Sequence, residues 1–448
     1  MSRFDFSITR PYLGLTLPLA LSTQVENLVG FAEIFMVRSL GSEAISAVGI
    51  ARTILFVLGI TMIAVATGTM AMVAQSVGAK DLTDASKTAK QSVTLVILIS
   101  SVISALGILT TDIALRLLSI PEPVAIIASP YLQVVYLSLP LMALDRTLDS
   151  CLHAAGDTRT SFYIALVSNI VHLIGAYAFI FGAWGFPEMG VTGAAVGNLA
   201  RTVFSNAIRF AVLYSGRFGF TFLPGTSYTP EWDRSKRILC IGIPSALQGL
   251  FRNGSNVLYM KLVAMTANPT VALTAYSIGR QMGITLRRTS LSFGTATTSI
   301  VGRSLGAREP DRANARAYTA LVLSVGILGL LGGPFYLFAE ELMGIFTQDV
   351  SVILVGIPYL YSLAAAEPFM CSAITSQGTL RAAGDTVSPL IYTIISQWLV
   401  QLPVAYLLAF TIGWDTDGIW LALVIFSAMQ GFLTVRKFTQ GHWLHRTL

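Results

Sequence analysis

A chain of 448 residues, 54% hydrophobic and only 12% charged, has half the charge of a soluble domain, for which about 25% is usual. With a mean hydropathy of +0.69, this excludes a water-soluble globule and points to an all-α polytopic membrane protein. The net charge of +6 raises the question of nucleic acid. The basic residues lie in short loops between apolar runs, however, so they set membrane orientation and no nucleic-acid partner is expected.

Apolar runs of spanning length predict twelve transmembrane helices. In chain order they cover 12–38, 46–76, 90–111, 124–151, 161–182 and 190–215, then 238–266, 270–302, 317–339, 352–378, 388–411 and 417–436. The first run is long enough to span and contains polar residues, so it reads as a retained helix rather than a cleaved signal. Pro11 and Pro18 allow it to bend. The longest polar connection runs from Arg217 to Lys236 and is taken as the junction. It divides the chain into six-helix bundles at 1–222 and 223–448. The three cysteines, Cys151, Cys240 and Cys371, are far apart and read as small apolar fillers.

The two halves are copies. Ala154-Ala155-Gly156-Asp157-Thr158 returns 228 residues later as Ala382-Ala383-Gly384-Asp385-Thr386. At the same offset Pro130-Tyr131-Leu132 returns as Pro358-Tyr359-Leu360, and Gly78-Ala79-Lys80-Asp81 as Gly306-Ala307-Arg308-Glu309. Near the start of each half the offset slips by two, so that Pro18, Ala20 and Leu21 match Pro244, Ala246 and Leu247. In the Gly-Asp-Thr turns, glycine stops one helix and the Asp caps the next.

Alternate loops share a side of the membrane. One side collects Lys80, Lys87, Arg159, Arg234, Arg308, Arg312, Arg381 and Arg436, while the other holds Glu43, Glu122, Glu188, Glu340 and Glu341. The positive-inside rule makes the first side cytoplasmic, with both termini inside a cell membrane. An even number of helices per half makes the repeats parallel, related by a pseudo-two-fold along the membrane normal, with substrate between them.

Burying a charge in a bilayer costs at least about 2.5–3.5 kcal/mol, so each ionisable residue deep in a span is a functional candidate. In the first helix Glu26 and Glu33 are two turns apart and share a face. In the seventh, Arg252 stands where the repeat has Glu26, with Gln248, Asn253 and Asn256 nearby. A Glu26–Arg252 pair between the halves is expected, either as a brace or as part of the mechanism. The fourth helix carries Asp145 and Asp149 one turn apart, either sharing a proton or neutralised by Arg146. The tenth carries Glu367 before Pro368, where a broken helix aims a carboxylate at a cavity. The fifth carries Asn169 and His172 on one face. Arg52 and Arg280 occupy repeat-equivalent places, and Arg287 and Arg288 have no repeat counterparts. There is no phosphate-binding loop, no metal-spaced cluster and no nucleophile elbow, so neither ATP-driven transport nor an enzyme is indicated, and no cofactor is expected.

Two six-helix halves, each with its Gly-Asp-Thr turn, resemble the prokaryotic MATE (multidrug and toxic compound extrusion) family, within the wider multidrug/oligosaccharidyl-lipid/polysaccharide flippase superfamily. The Pro18 segment, Ser46-Ala47-Val48-Gly49-Ile50, Gly78-Ala79-Lys80 and Gly190-Val191-Thr192-Gly193-Ala194-Ala195 carry the resemblance in the family's order. The resemblance implies cation-coupled efflux of cationic, amphipathic compounds. The family's first-helix acid falls on Glu33, its fifth-helix polar positions on Asn169, His172 and Ala176, and its sixth-helix threonine on Asn198. The seventh-helix Glu and tenth-helix Asp of another branch fall on Arg252 and Met370.

These departures favour H⁺ over Na⁺ as the coupling ion, with Na⁺ at Glu33 as the alternative. Glu33, Asn169, His172 and Asn198 are the expected ion-coupling set. Glu26, Arg252, Gln248, Asn256, Asp145, Asp149 and Glu367 are the expected substrate or inter-bundle residues. The partners expected are a small-molecule substrate and membrane lipid, and the protein is expected to act as a monomer. A flippase for a lipid-linked or lipid-like molecule is the alternative, drawing on Arg52, Arg252, Arg280, Arg287 and Arg288.

Overall fold

Twelve long helices follow one another in the computed structural model, which describes residues 6–117, 119–216, 220–446 and 448. They are α1 (Thr9–Arg38), α2 (Ser42–Gly78), α3 (Leu82–Leu117), α4 (Glu122–Ala155), α5 (Thr158–Phe181) and α6 (Val191–Ser215). The second set is α7 (Trp232–Ala264), α8 (Pro269–Gly306), α9 (Pro310–Leu337), α10 (Val350–Ala382), α11 (Val387–Thr411) and α12 (Asp415–Thr439). Each falls on a predicted span. The largest overrun is α3, which starts at Leu82 rather than Lys90. Its first turns are polar, so the hydropathy window misses them, and Asp81 accepts the Asp84 amide at 2.8 Å to start the helix.

Among the described residues, eight helices contain a stretch long and apolar enough to cross a membrane. The other four, α1, α6, α7 and α8, carry Glu26 and Glu33, Arg201 and Arg209, Arg252, and Arg287 and Arg288 respectively. Charge buried in the unit lowers the apparent hydropathy of these helices. Leu98, Val102, Leu106, Leu109, Ile113 and Leu117 form an exposed apolar stripe along α3. A face like this is stable only against lipid.

The Gly-Asp-Thr turns behave as the sequence implies. Gly156 and Gly384 take left-handed backbone, with φ of 88° and 75°. Asp157 then accepts from the Thr160 amide at 3.0 Å, and Asp385 from the Ser388 amide at 3.1 Å.

The chain forms two compact units, Leu17–Ile243 and Met1–Thr16 with Pro244–Leu448, referred to below as the N-terminal and C-terminal units. Their boundaries differ from a simple division of the sequence, for local reasons. In the C-terminal unit, the fully buried Tyr12 donates to the Phe293 carbonyl at 3.1 Å and meets Thr297 Oγ1 at 2.9 Å. In the N-terminal unit, α7 begins against α2, so closely that a Cβ on Gly68 would strike the Ile238 carbonyl. The connection before α7 is fastened to α3. Buried Lys90 donates from Nζ to the Leu223 and Thr226 carbonyls, both at 2.9 Å, and stands 4.9 Å from the Tyr228 ring. Arg234 Nη1 reaches Asp84 Oδ1 at 2.7 Å. Residues 223–243 therefore belong with the first six helices.

The apolar core of the N-terminal unit includes, among the described residues, one cluster around Ala47, Ala51, Leu132 and Ile180 and another around Ala89, Leu148, Leu152 and Phe222. The C-terminal unit centres on Tyr259, Tyr276, Tyr359 and Trp420, with Tyr276 stacked on Trp420 at 6.1 Å. Two stretches of α11, Ile394–Gln401 and Leu407–Thr411, are π-helical. Local widening of this kind tends to fall at functional places.

Candidate functional site

Within the N-terminal unit the charges of the spans collect between α1, α4, α5 and α6. Asp145, Asp149 and His153 succeed one another at single-turn spacing on α4, as do Arg201, Ser205 and Arg209 on α6, so each helix presents a polar stripe. Arg209 joins the two stripes. Its Nη1 bonds Asp145 and Ser205, and its Nη2 reaches Asp149 Oδ1 at 3.0 Å. Ser205 Oγ donates to Asp145 Oδ1 at 2.6 Å, and Arg201 Nη1 lies 3.9 Å from Asp145 Oδ2. Asp149 also accepts from Ser161 on α5 and has His153 Nε2 at 3.5 Å. Arg146 points instead to α1, where its Nη2 is 3.7 Å from Glu26 Oε2. Three carboxylates and three guanidinium groups thus share the site, and only the Glu26–Arg146 pair is substantially exposed.

The expected ion-coupling residues lie beside this network. Asn169 and His172 are 5% and 7% exposed on α5. The buried His172 Nε2 has no hydrogen-bond partner, and the charge of Arg201 acts on the ring. Asn198 accepts from Arg201 Nε at 2.9 Å and lies 3.9 Å from Met142 Sδ. Glu33 is half-buried on α1.

The C-terminal unit fills the corresponding frame with amides. Gln248 on α7 is its hub, donating to Gln377 Oε1 at 3.0 Å, to Thr393 Oγ1 at 2.9 Å and to the Pro389 carbonyl at 3.3 Å. Arg381 Nη2 donates to Gln248 Oε1 at 2.9 Å, and Gln430 on α12 reaches Thr393 Oγ1 at 3.1 Å. Ser255 bonds Gln397, in the first π-helical stretch of α11, at 3.3 Å. Glu367 is buried and accepts from Ser290 Oγ at 2.6 Å. Arg252 and Asn256 are half-buried on α7.

Several expectations need correcting. Helix α10 runs unbroken through Pro358 and Pro368, so Glu367 is held by Ser290 rather than aimed by a break. Asp145 and Asp149 bond Arg209 directly, while Arg146 acts on them only at longer range. Within its own unit Glu26 has Arg146 as its ion-pair partner. The sequence reasoning missed Arg201, Arg209, His153, Ser161 and Ser205. Its available signal was two arginines eight residues apart inside the sixth apolar run, each as costly to bury as the acids that were noticed. The side chain of Arg52 lies outside the described residues, as do residues 217–219 of the connection.

Two helical units with buried polar cores and lipid-facing stripes define a multi-pass membrane transporter, and the comparisons agree. The MatE family profile matches residues 18–178 and 244–407. The uncharacterized transporter YisQ of Bacillus subtilis is 27% identical over 434 residues, covering 97% of this chain and 94% of that protein. The probable multidrug resistance protein NorM of Thermotoga maritima is 27% identical over 447 residues, covering 98% and 94%. A solved MOP superfamily transporter from Pyrococcus furiosus, described as having a binding pocket of reverse polarity, aligns with a TM-score of 0.87 at 19% identity, covering 98% of this chain and 96% of that one. The chain belongs to the MatE family. It is a membrane transporter and not an enzyme.

Proposed function

We propose that the protein is a secondary antiporter that exports amphipathic small molecules in exchange for a cation bound in the N-terminal unit, with H⁺ favoured over Na⁺. The observation that carries this reading is the network, buried except at Glu26 and Arg146, in which Glu26, Asp145 and Asp149 are matched by Arg146, Arg201 and Arg209. A matched set is sensitive to one added or removed proton, because a charge left alone in a low-dielectric interior is costly. Asp145 and Asp149 act as a brace through Arg209. The exchangeable acids are those on α1, namely Glu33 and the more exposed Glu26.

Protonation of Glu33 removes a charge from α1 and biases that helix toward repacking, which links ion binding to opening and closing. Na⁺ would need several oxygen ligands, whereas the fifth helix offers Ala176 in place of the family's acid and an imidazole at His172. This supports the proton. In this reading the chain sits in the plasma membrane with both termini cytoplasmic and works as a monomer. The loop charge asymmetry supports the orientation. The flippase alternative draws on the arginines of the C-terminal unit.

The test is dye efflux from proteoliposomes under an imposed pH gradient or an imposed Na⁺ gradient, with wild type and Glu33→Gln. Efflux driven by the pH gradient and lost in the variant is expected. Sodium-driven efflux would overturn the choice of ion, and unchanged efflux in Glu33→Gln would move coupling away from Glu33.

A further inference from the structure

The repeat provides an internal comparison of charge. Arg252 stands where the first half has Glu26. In α10, Ala373, Gln377 and Arg381 stand where α4 has Asp145, Asp149 and His153. The second half has therefore exchanged three acids and a histidine for two arginines, an amide and a methyl group. Arg381 Nη2 bonds Gln248 Oε1 at 2.9 Å, one helical turn before Arg252 on α7, so α7 and α10 bring these two guanidinium groups to one region, where the charge of Arg287 on α8 also acts. Among the described residues none of the three has an ion-pair partner. Glu367 is the acid that feels Arg287, and its carboxylate is engaged by Ser290.

A second observation points the same way. Arg381 Nε and Gln377 Nε2 are buried donors with no acceptor, while Gln430 Oε1 is left over as an acceptor on the same network. The Nε–H of an arginine is a donor only and cannot be relieved by a side-chain flip. The site therefore calls for an oxygen acceptor. Beside Arg252, Phe251 packs edge to face with Trp398 at 6.0 Å, and the indole donates to the Phe251 carbonyl at 2.9 Å. This pair fixes α7 against α11 one residue from Arg252.

We propose that Arg252, Arg287 and Arg381 of the C-terminal unit bind the anionic group of the transported molecule, a phosphate or carboxylate carried on an apolar body. Guanidinium groups suit such oxyanions because they offer paired donors in a planar fork. The word transported rests on the function proposed above, whereas the anion site itself is read by binding alone.

The experiment uses the purified full-length protein in an uncharged detergent and compares equilibrium binding of octyl phosphate with that of octyltrimethylammonium. The wild type is expected to bind the phosphate at least about tenfold more tightly, the factor set by one charged hydrogen bond. Arg252→Gln and Arg381→Gln should each remove about that factor for the phosphate and leave the ammonium unchanged, with Arg252→Lys retaining most of the affinity. Equal or tighter binding of the ammonium by wild type overturns the proposal without reference to any variant. So does wild-type affinity for the phosphate in a glutamine variant with a normal melting transition.

Nanodiscs distinguish the source of the anion. Phosphatidic acid that competes with octyl phosphate, where phosphatidylcholine does not, identifies a lipid headgroup. Absence of competition identifies a free amphiphile, and both results support the shared chemistry. If the efflux test fails while phosphate binding holds, the coupling reading falls and the anion site stands.

Discussion

Replacing Arg209 with methionine tests the ionic brace of the N-terminal unit. The side chain is 5% exposed and joins Asp145 and Asp149, which are 9% and 17% exposed. Methionine fills a similar volume, so packing loss is small and the electrostatic effect dominates. Removing one partner of a buried pair costs about 3–5 kcal/mol, because the remaining charge is stranded. Here Asp149 keeps Ser161 and His153 while Asp145 keeps Ser205 and the more distant Arg201, which argues for the lower part of that range. Melting of the detergent-solubilised protein, followed by scanning fluorimetry, should fall by on the order of 10 °C. The double variant Arg209→Met/Asp149→Asn removes the stranded charge and should recover at least half of the loss, as coupled sites do. A single variant melting within about 2 °C of wild type, or a double variant worse than the single, would refute the brace.

Lys90→Met should free the connection before α7. It strands the Thr226 carbonyl at about 1–3 kcal/mol, while the Leu223 carbonyl keeps Thr226 Oγ1, so proteolysis within residues 220–231 should accelerate by about tenfold while the helices stay intact. In Gly378→Ala the new Cβ meets the Gly294 carbonyl of the neighbouring helix, and overpacking of this kind costs about 1–3 kcal/mol, visible as a lower melting temperature. Asp157→Ala and Asp385→Ala each remove an N-cap worth about 1 kcal/mol. Because the caps lie in different units, the double variant should lose the sum of the two, as read from melting.

The twelve helices and the repeat were legible because spanning length, hydropathy and turn chemistry are local properties. Helix ends that carry polar first turns, as in α3, were not. Repeat alignment identified Glu26 and Arg252 as equivalent positions, whereas the pairing of Glu26 with Arg146 inside the N-terminal unit is set by helix packing. Asp145 and Asp149 stood out as buried acids, whereas the arginine that holds them is some 60 residues away on α6. That pairing is set by helix packing and leaves no local trace. The π-helical turns of α11 and the unmatched donors of Arg381 and Gln377 belong to the folded unit alone.

Simultaneous recording of dye movement and lumenal pH tests the account most directly. Proteoliposomes loaded with a trapped pH indicator would be followed as dye exchanges across the bilayer. The account predicts that dye transport moves protons in the opposite direction in wild type, and that Glu33→Gln abolishes the proton signal together with net transport. Dye transport with no lumenal pH change, or accompanied by counterflow of Na⁺, would contradict it.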